Sequence, residues 1–176
     1  LAGYGPVILG YDHPVPIAAA EKQRALGSVF NHPTERSIEL AERLVSLIPS
    51  ADWASFARNG SDTTYYAIQV ARQFTQRKKI IMAKGAYHGT HPWSIHGISG
   101  LIPSDYEHIL QFTWNDVDEL RSLLKKHDGD VAGIILTPYH HPAFGDQVMP
   151  APGFYDEITR IRDEHELVVI VDDVRA

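Results

Sequence analysis

Four apolar runs separated by helix-like segments constrain the fold of this chain more than any other feature. The runs read KKIIMA, HILQFTW, VAGIIL and LVVIV, at residues 78–83, 108–114, 131–136 and 167–171. Between them, NDVDELRSLLKKH and GFYDEITRIRDEHE space their apolar residues as amphipathic helices do. Near-continuous apolar strands that alternate with helices are typical of an α/β protein in which helices cover both faces of a mainly parallel sheet.

Helices are also predicted before the first apolar run. Residues 33–48 place most of their apolar side chains on one face, and Thr34 is the expected cap. Residues 62–77 form a second predicted helix. Further along, Asn115 is the expected N-cap of the helix that follows HILQFTW. The stretch 85–103 is rich in Gly, His and Pro and is predicted to be an irregular loop, a kind of segment that often carries function.

The composition excludes several classes of protein. The chain has 176 residues, which suits one domain with a sizeable core, and its net charge of −6 is unlike that of a nucleic-acid binder with clustered Lys and Arg. It has no cysteine, which excludes disulfides and thiolate catalysis and fits a reducing compartment. No apolar run approaches the roughly 20 residues of a membrane span. We therefore expect a cytoplasmic protein that binds neither nucleic acid nor membranes.

Ligands of an open parallel sheet bind at the carboxyl ends of its strands, and three stretches of this chain are predicted to lie there. In RNGSDTT, Asn59, Gly60 and Ser61 precede a helix whose free N–H groups suit a phosphate, although an ordinary helix cap explains the same pattern. In GAYHGTHPW, Tyr87 is placed to cover a planar ligand or simply to pack. In VDDV, Asp172 ends a buried strand, so its carboxylate needs a cation or a donor unless it forms a helix cap or a surface turn.

The histidines offer an alternative chemistry. His88, His91 and His96 cluster in one loop and His140 and His141 are adjacent, a spacing at which imidazoles can bind a metal. The sequence lacks the HExxH pattern of zinc hydrolases, and paired histidines in an irregular loop are more often polar packing. We predict no metal site, and a histidine–metal hydrolase is the alternative that metal analysis of the purified protein would test.

Five stretches, in order, resemble one family. GYGPVILGYDHP is similar to the family's entry segment GxxxLGHxHP, and PTERSIELAERLVSLIP to the helix after it. FARNGSDTTYYAIQVARQFTQRKKI aligns without a gap on FxNSGTEAxxxAxRxARxxTGRxKI, KGAYHG matches xGxYHG, and PAPGFYDEITRIRDEHELVVIVDDV matches PxxGFLxxLRxLxxxxGxLLIxDEV. Over nearly its whole length the chain thus resembles the class III aminotransferases, which depend on pyridoxal 5′-phosphate (PLP), and especially the branch of glutamate-1-semialdehyde aminomutase.

The resemblance implies roles around the PLP ring for four residues. Asp172 matches the carboxylate that faces the pyridine nitrogen and keeps it protonated, so that the ring can act as an electron sink. Val174 matches the residue packed on one face of the ring, and Tyr87 matches the aromatic residue stacked on the other. His88 lies in the matched YHG stretch and is expected to belong to the same cofactor-binding set.

The resemblance also covers the phosphate end of the cofactor and includes departures from the family pattern. Asn59, Gly60 and Ser61 match the phosphate-binding triplet, which is usually Ser, Gly and Thr, and all three can still donate hydrogen bonds. Asp173 replaces a Glu and keeps the acid. Thr137 stands where the family has the Glu of a Glu-Pro pair, which points to altered substrate geometry or weakened activity.

The family's Schiff-base lysine has no match in this sequence. In the family it follows the segment that matches VDDV, beyond a further strand, and neither Lys84 nor another lysine here corresponds to it. The resemblance therefore implies that residues 1–176 are the central part of a PLP-binding large domain of aminotransferase fold type I. The N-terminal segment, the lysine region and the C-terminal small domain are expected to lie outside these residues.

The implied activity is transfer of an amino group between a small-molecule amino donor (an amine or amino acid) and a carbonyl acceptor, in a homodimer. Intramolecular amino transfer, as in glutamate-1-semialdehyde 2,1-aminomutase, uses the same machinery, and these residues do not separate the two. A non-catalytic or degenerate protein with the same fold is a further alternative.

Overall fold

The structure, a computed structural model, describes residues 7–95, 100–142 and 145–174. The chain divides into two units, Leu1–Phe56 and Ala57–Ala176. Among the described residues, no helix combines the length and the apolar character that crossing a membrane requires.

The first unit contains two helices, α1 (Pro14–Leu26) and α2 (Glu35–Leu47). Thr34 caps α2 as predicted, since its hydroxyl accepts a hydrogen bond from the Ser37 N–H at 3.3 Å. Helix α1 was not predicted, because its apolar residues form no stripe at helical spacing. Neither helix has a buried residue.

The second unit is an α/β sandwich that confirms the predicted fold class. A four-stranded, entirely parallel sheet has the order β2-β1-β3-β4. Its elements are α3 (Gly60–Thr75), β1 (Lys79–Ala83), a 3₁₀ turn (Pro92–Ser94), α4 (Pro103–Tyr106), β2 (Ile109–Phe112), α5 (Val117–Lys126), β3 (Val131–Leu136), α6 (Phe154–His165) and β4 (Val168–Val171).

Helices cover the sheet on both faces, which explains why the inner strands are apolar at nearly every position. Ile68 and Ala71 of α3 pack on one face, against β1 and β3 residues that include Ile80 and Ile135. The opposite face is covered by α5 and α6, which contribute the buried side chains of Leu120, Leu124, Phe154, Ile158 and Ile161. All six residues of β3 are buried.

One predicted cap is wrong by one residue. Asp116, and not Asn115, caps α5, since its carboxylate accepts from the Glu119 N–H at 2.8 Å. Asn115 has a positive φ of 69° and uses its side chain to bind the backbone of Met149 and Ala151. Asn and Asp are equally suited to be an N-cap. Asn115 is not the cap because its side chain binds the backbone of another segment.

Polar side chains tie the elements together at the amino ends of the strands. The Arg77 guanidinium donates to the carbonyl oxygen of His165, the last residue of α6, at 2.6 Å and to that of Val131 at 3.3 Å. Lys79 forms an ion pair with Asp130, which lowers the pKa of that carboxyl group. These contacts join β1, β3 and α6 at the edge of the sheet opposite the carboxyl ends.

Candidate active site

The carboxyl ends of the parallel strands bring the predicted site residues to one edge of the sheet. Tyr87 and His88 follow β1, Thr137 directly follows β3, and Asp172 directly follows β4. The Asp172 N–H continues the β3–β4 pairing by donating to the Leu136 carbonyl oxygen at 2.7 Å. Asp172 is therefore held by the sheet itself and not by a flexible loop.

A buried contact joins two of these residues across the end of β3. His88 Nδ1 lies 2.9 Å from Asp172 Oδ2, and the two side chains are 0% and 9% exposed. The second ring nitrogen of His88, Nε2, is buried and has no hydrogen-bond partner among the described residues. The Trp93 ring lies nearly parallel to the imidazole, with 6.4 Å between the ring centroids. In this structure the buried imidazole of His88 thus holds the Asp172 carboxylate in place.

The predicted phosphate triplet lies at the amino end of α3. Asn59 is the N-cap and accepts a hydrogen bond from the Asp62 N–H at 2.9 Å, so the ordinary cap interpretation holds for its side chain. Gly60 and Ser61 begin the helix, where the positive end of the dipole and the first N–H groups face outward. A cap and an anion site are compatible here, because the cap uses only one of the four N–H groups.

Close contacts fix the surroundings of this helix end. A Cβ added at Gly60 would lie 3.5 Å from Val174 Cγ2, so the residue after the VDD segment lies against the start of α3. A Cβ added at Gly89 would lie 2.6 Å from Ser61 Oγ and 2.8 Å from Ser61 Cα, and Gly89 has a φ of 113°. Only glycine fits at position 89 without displacing the loop.

Sequence reasoning missed Gly89, Thr90 and Thr64 as parts of this site. The Thr90 N–H donates to Ser61 Oγ at 3.0 Å, and the Thr64 hydroxyl donates to the His88 carbonyl oxygen at 2.7 Å. Gly89 stands within the quoted YHG stretch, so the motif contained a signal for a close approach. The two threonine contacts span 24 and 29 residues and leave no local signal.

Tyr87 and His88 are adjacent but have opposite environments. The Tyr87 residue is 48% exposed, whereas His88 is buried. Extended backbone directs successive side chains to opposite sides. An exposed aromatic ring beside a buried carboxylate–imidazole pair is suited to cover a planar ligand.

The region after β3 is buried and carries no acidic group at the position of Thr137. The Thr137 hydroxyl donates to the Tyr139 carbonyl oxygen at 2.8 Å, and the Tyr155 hydroxyl donates to the Thr137 carbonyl oxygen at 2.5 Å. His140 stacks on Trp114 with 5.3 Å between ring centroids, and burial lowers the pKa of the imidazole. Thr137 thus places hydrogen-bonding groups, and no carboxylate, at the end of β3.

The alternative histidine–metal site finds no support among the described residues. None of their His, Asp and Glu side chains form a group of three that could hold a metal ion. His91 stacks on Tyr65 and lies 3.5 Å from a carboxylate oxygen of Asp62. His96 lies outside the described residues.

The groups at the carboxyl ends of the strands fit PLP. A phosphate suits the amino end of α3. A protonated ring nitrogen suits the Asp172 carboxylate. Without one, this largely buried carboxylate has no Lys or Arg partner among the described residues. Val174 and Tyr87 supply side chains for the faces of a planar ring. Position 60 leaves space for a ligand because it has no side chain.

Comparison with solved structures and with sequence families agrees with the fold described above. The fold is that of the fold type I aminotransferases: the PLP internal aldimine form of the FumI protein from Sphingopyxis sp. MTA144 matches with a TM-score of 0.92 and 40% identity, over 97% of this chain and 41% of that chain. The chain belongs to the class-III aminotransferase family, whose family model matches residues 1–176.

Curated relatives include both aminotransferases and aminomutases. The aminopentol aminotransferase of Sphingopyxis macrogoltabida is 42% identical over 100% of this chain and 42% of its own length. The glutamate-1-semialdehyde 2,1-aminomutase of Ignicoccus hospitalis is 35% identical over 98% of this chain and 43% of its own length. The chain thus spans less than half the length of the relatives it matches.

Proposed function

We propose that this chain is part of the large domain of a PLP-dependent enzyme that transfers an amino group between an amine or amino acid and a carbonyl compound. One observation carries the proposal. Asp172, at the carboxyl end of β4, is nearly buried, and among the described residues its only ion-pair partner is His88. A carboxylate in that position needs a cation, and a protonated pyridine nitrogen supplies one.

When bound, PLP supplies an aldehyde carbon that takes up the amino group and a protonated ring that withdraws electrons from it. The residues of this chain orient that ring. Asp172 holds the proton at the ring nitrogen, and His88 Nδ1 holds the carboxylate. Tyr87 and Val174 cover the two faces and keep water from them.

The amino end of α3 binds the phosphate in this proposal. The N–H groups of Gly60 and Ser61 and the helix dipole attract the anion, and the missing side chain at position 60 lets it approach the backbone. Gly89 and Thr90 pack against Ser61 and hold the helix end in place. The cofactor is thereby fixed at both ends by this chain.

The group that moves the substrate proton is proposed to lie outside these 176 residues. Lys84 Nζ lies 2.6 Å from Glu119 Oε1 and 3.1 Å from Thr113 Oγ1, and Lys79 is paired with Asp130. An ammonium group held by a carboxylate is a poor nucleophile. We propose, from the family resemblance, that the lysine follows in the sequence and that the active site is completed in a homodimer.

Intramolecular amino transfer is the second candidate, because an aminomutase is 35% identical over 98% of this chain. The residues proposed to touch PLP serve both reactions equally. Thr137, in place of the family's Glu, favours a substrate arrangement that differs from the family pattern.

The test uses the complete protein that contains these residues. After incubation with PLP and removal of the excess, we expect one visible-absorbing coenzyme per chain. We also expect amino transfer from a panel of primary amines and amino acids only when a carbonyl acceptor such as pyruvate is added. Isomerisation of a single amino-carbonyl compound without an acceptor would favour the aminomutase. Absence of bound PLP would overturn both.

A further inference from the structure

We propose that His140 is a positioning residue for Tyr87: its imidazole holds the turn by which the chain leaves β1, and this turn sets where the tyrosine lies. The inference rests on the proposed function, because it takes Tyr87 to cover one face of the PLP ring. It goes beyond that function because it gives a task to a buried histidine that the proposed site does not use.

The turn after β1 is short and leaves one carbonyl group to an outside donor. The Ala86 N–H donates to the Ala83 carbonyl oxygen at 3.1 Å, and Gly85, with a φ of 76°, takes the third position of this four-residue turn. The Lys84 N–H donates to the end of β2 at 2.8 Å, whereas the Lys84 carbonyl oxygen takes part in neither bond. Tyr87 follows the turn directly, so the turn fixes where its backbone begins.

The imidazole of His140 supplies that donor. It forms a hydrogen bond with the backbone of Lys84, and this bond raises the pKa of the imidazole, so the Lys84 group is the accepting carbonyl. His140 Nδ1 is buried and has no hydrogen-bond partner among the described residues, so Nε2 is the donor. A second proton, on Nδ1, would be a buried donor without an acceptor. Burial accordingly lowers the pKa of this imidazole, and the nearby rings of His141 and His88 lower it further.

The loop after β3 holds His140 in a fixed place. The imidazole stacks on the Trp114 ring at an angle of 18°, and the backbone of His140 exchanges two hydrogen bonds with Val148, at 2.9 and 2.8 Å. A Cβ added at Gly85 would lie 3.5 Å from Pro142 Cβ, so this loop also lies against the turn itself. The loop after β3 and the turn after β1 are therefore in direct contact, and His140 adds a hydrogen bond between them.

The experiment separates the donor of His140 from its ring in the complete protein. His140→Phe keeps an aromatic ring against Trp114 and removes the donor. His140→Gln is the matched control, because its amide N–H lies near the position of Nε2 and it has no ring. Each is also combined with Tyr87→Ala. Two readouts need no coenzyme: the ¹⁵N spectrum of the histidines, in which His140→Gln identifies the His140 signals, and amide hydrogen exchange of residues 84–88. The third readout is the PLP dissociation constant.

We expect wild-type His140 to carry its proton on Nε2. In His140→Phe, amide exchange at residues 84–88 should be about fivefold faster and the PLP dissociation constant about fivefold higher, as for one lost hydrogen bond. His140→Gln should keep both values close to wild type. In the Tyr87→Ala background, His140→Phe should still speed the exchange but should no longer change the dissociation constant, because the side chain that it positions is gone.

Three results would overturn the inference: a proton on Nδ1 of wild-type His140, wild-type exchange in His140→Phe, or an equal loss of PLP affinity with and without the Tyr87 side chain. The last would show that His140 acts on the fold in general and not through Tyr87.

If His140→Phe does not fold, the other two measurements decide. A proton on Nε2 together with wild-type exchange in His140→Gln supports the inference, and failure of either overturns it. Failure of the wild-type protein to bind PLP would overturn the proposed function. The tautomer and the exchange, both measured without coenzyme, would then still decide whether His140 holds the turn.

Discussion

Asp172 is the residue whose charge we expect to matter most. In Asp172→Asn the amide has nearly the same shape but cannot hold a protonated ring nitrogen, so PLP should still bind while turnover falls at least a hundredfold, or about 2.7 kcal/mol in the barrier. Coenzyme content and steady-state rates measure the two effects. The neighbouring exposed carboxylate provides the control, since Asp173→Asn should change neither. Near-normal turnover of Asp172→Asn would count against the assignment.

Gly60 allows a second prediction at the scale of one residue. A single Cβ there meets Val174 Cγ2 at an ordinary 3.5 Å, so Gly60→Ala should be tolerated. Gly60→Val adds two methyl groups next to the same side chain and obstructs approach to the start of α3. We expect the PLP dissociation constant of Gly60→Val to rise more than tenfold, roughly 1.4 kcal/mol, with a smaller effect on turnover at saturating PLP. An unchanged dissociation constant would place the phosphate elsewhere.

At the scale of elements, the packing of β3 against β4 depends on Gly133. A Cβ at this position would lie 2.6 Å from the Val168 carbonyl oxygen, a backbone atom that cannot move without disturbing the strand pairing. We therefore expect Gly133→Ala to lower the free energy of unfolding of the complete protein by about 1–3 kcal/mol. Urea titration followed by circular dichroism measures the change. A midpoint equal to that of wild type would show that the strands adjust freely.

The elements differ in how well sequence predicts them, for physical reasons. The four strands were predicted to within two residues, because a sheet covered on both faces requires continuous apolar runs. Helix α1 lacks an apolar stripe and the four-residue α4 is too short for a period to show, so both escaped detection. Strand ends also indicated Asp172 and Tyr87 as site residues. The contacts of His88 with Asp172 and Thr64 depend on the path of a loop, which no local pattern encodes.

At the scale of the whole molecule, we predict how residues 1–176 behave when they are expressed alone. Residues 1–176 contain no lysine that matches the family's Schiff-base position, and they span 42% of the length of a curated relative. We expect these residues expressed alone to show no transamination and to bind PLP weakly and without a covalent bond. Borohydride reduction followed by mass spectrometry tests the bond, beside an activity assay. A stoichiometric adduct on one lysine together with turnover would show that the nucleophile is within these residues.

The polar contacts at the amino ends of the strands affect how readily the other end of the sheet can accept substitutions. Arg77 and the Lys79–Asp130 pair lie at the opposite end of the strands from Asp172 and His88. Substitutions that improve packing at the amino ends can therefore raise the free energy of unfolding without changing the residues of the proposed site. The added stability can offset destabilising changes near Thr137 or His140. In a directed-evolution campaign for new substrates, stabilising mutations placed around Arg77 would widen the range of tolerated variants at the other edge.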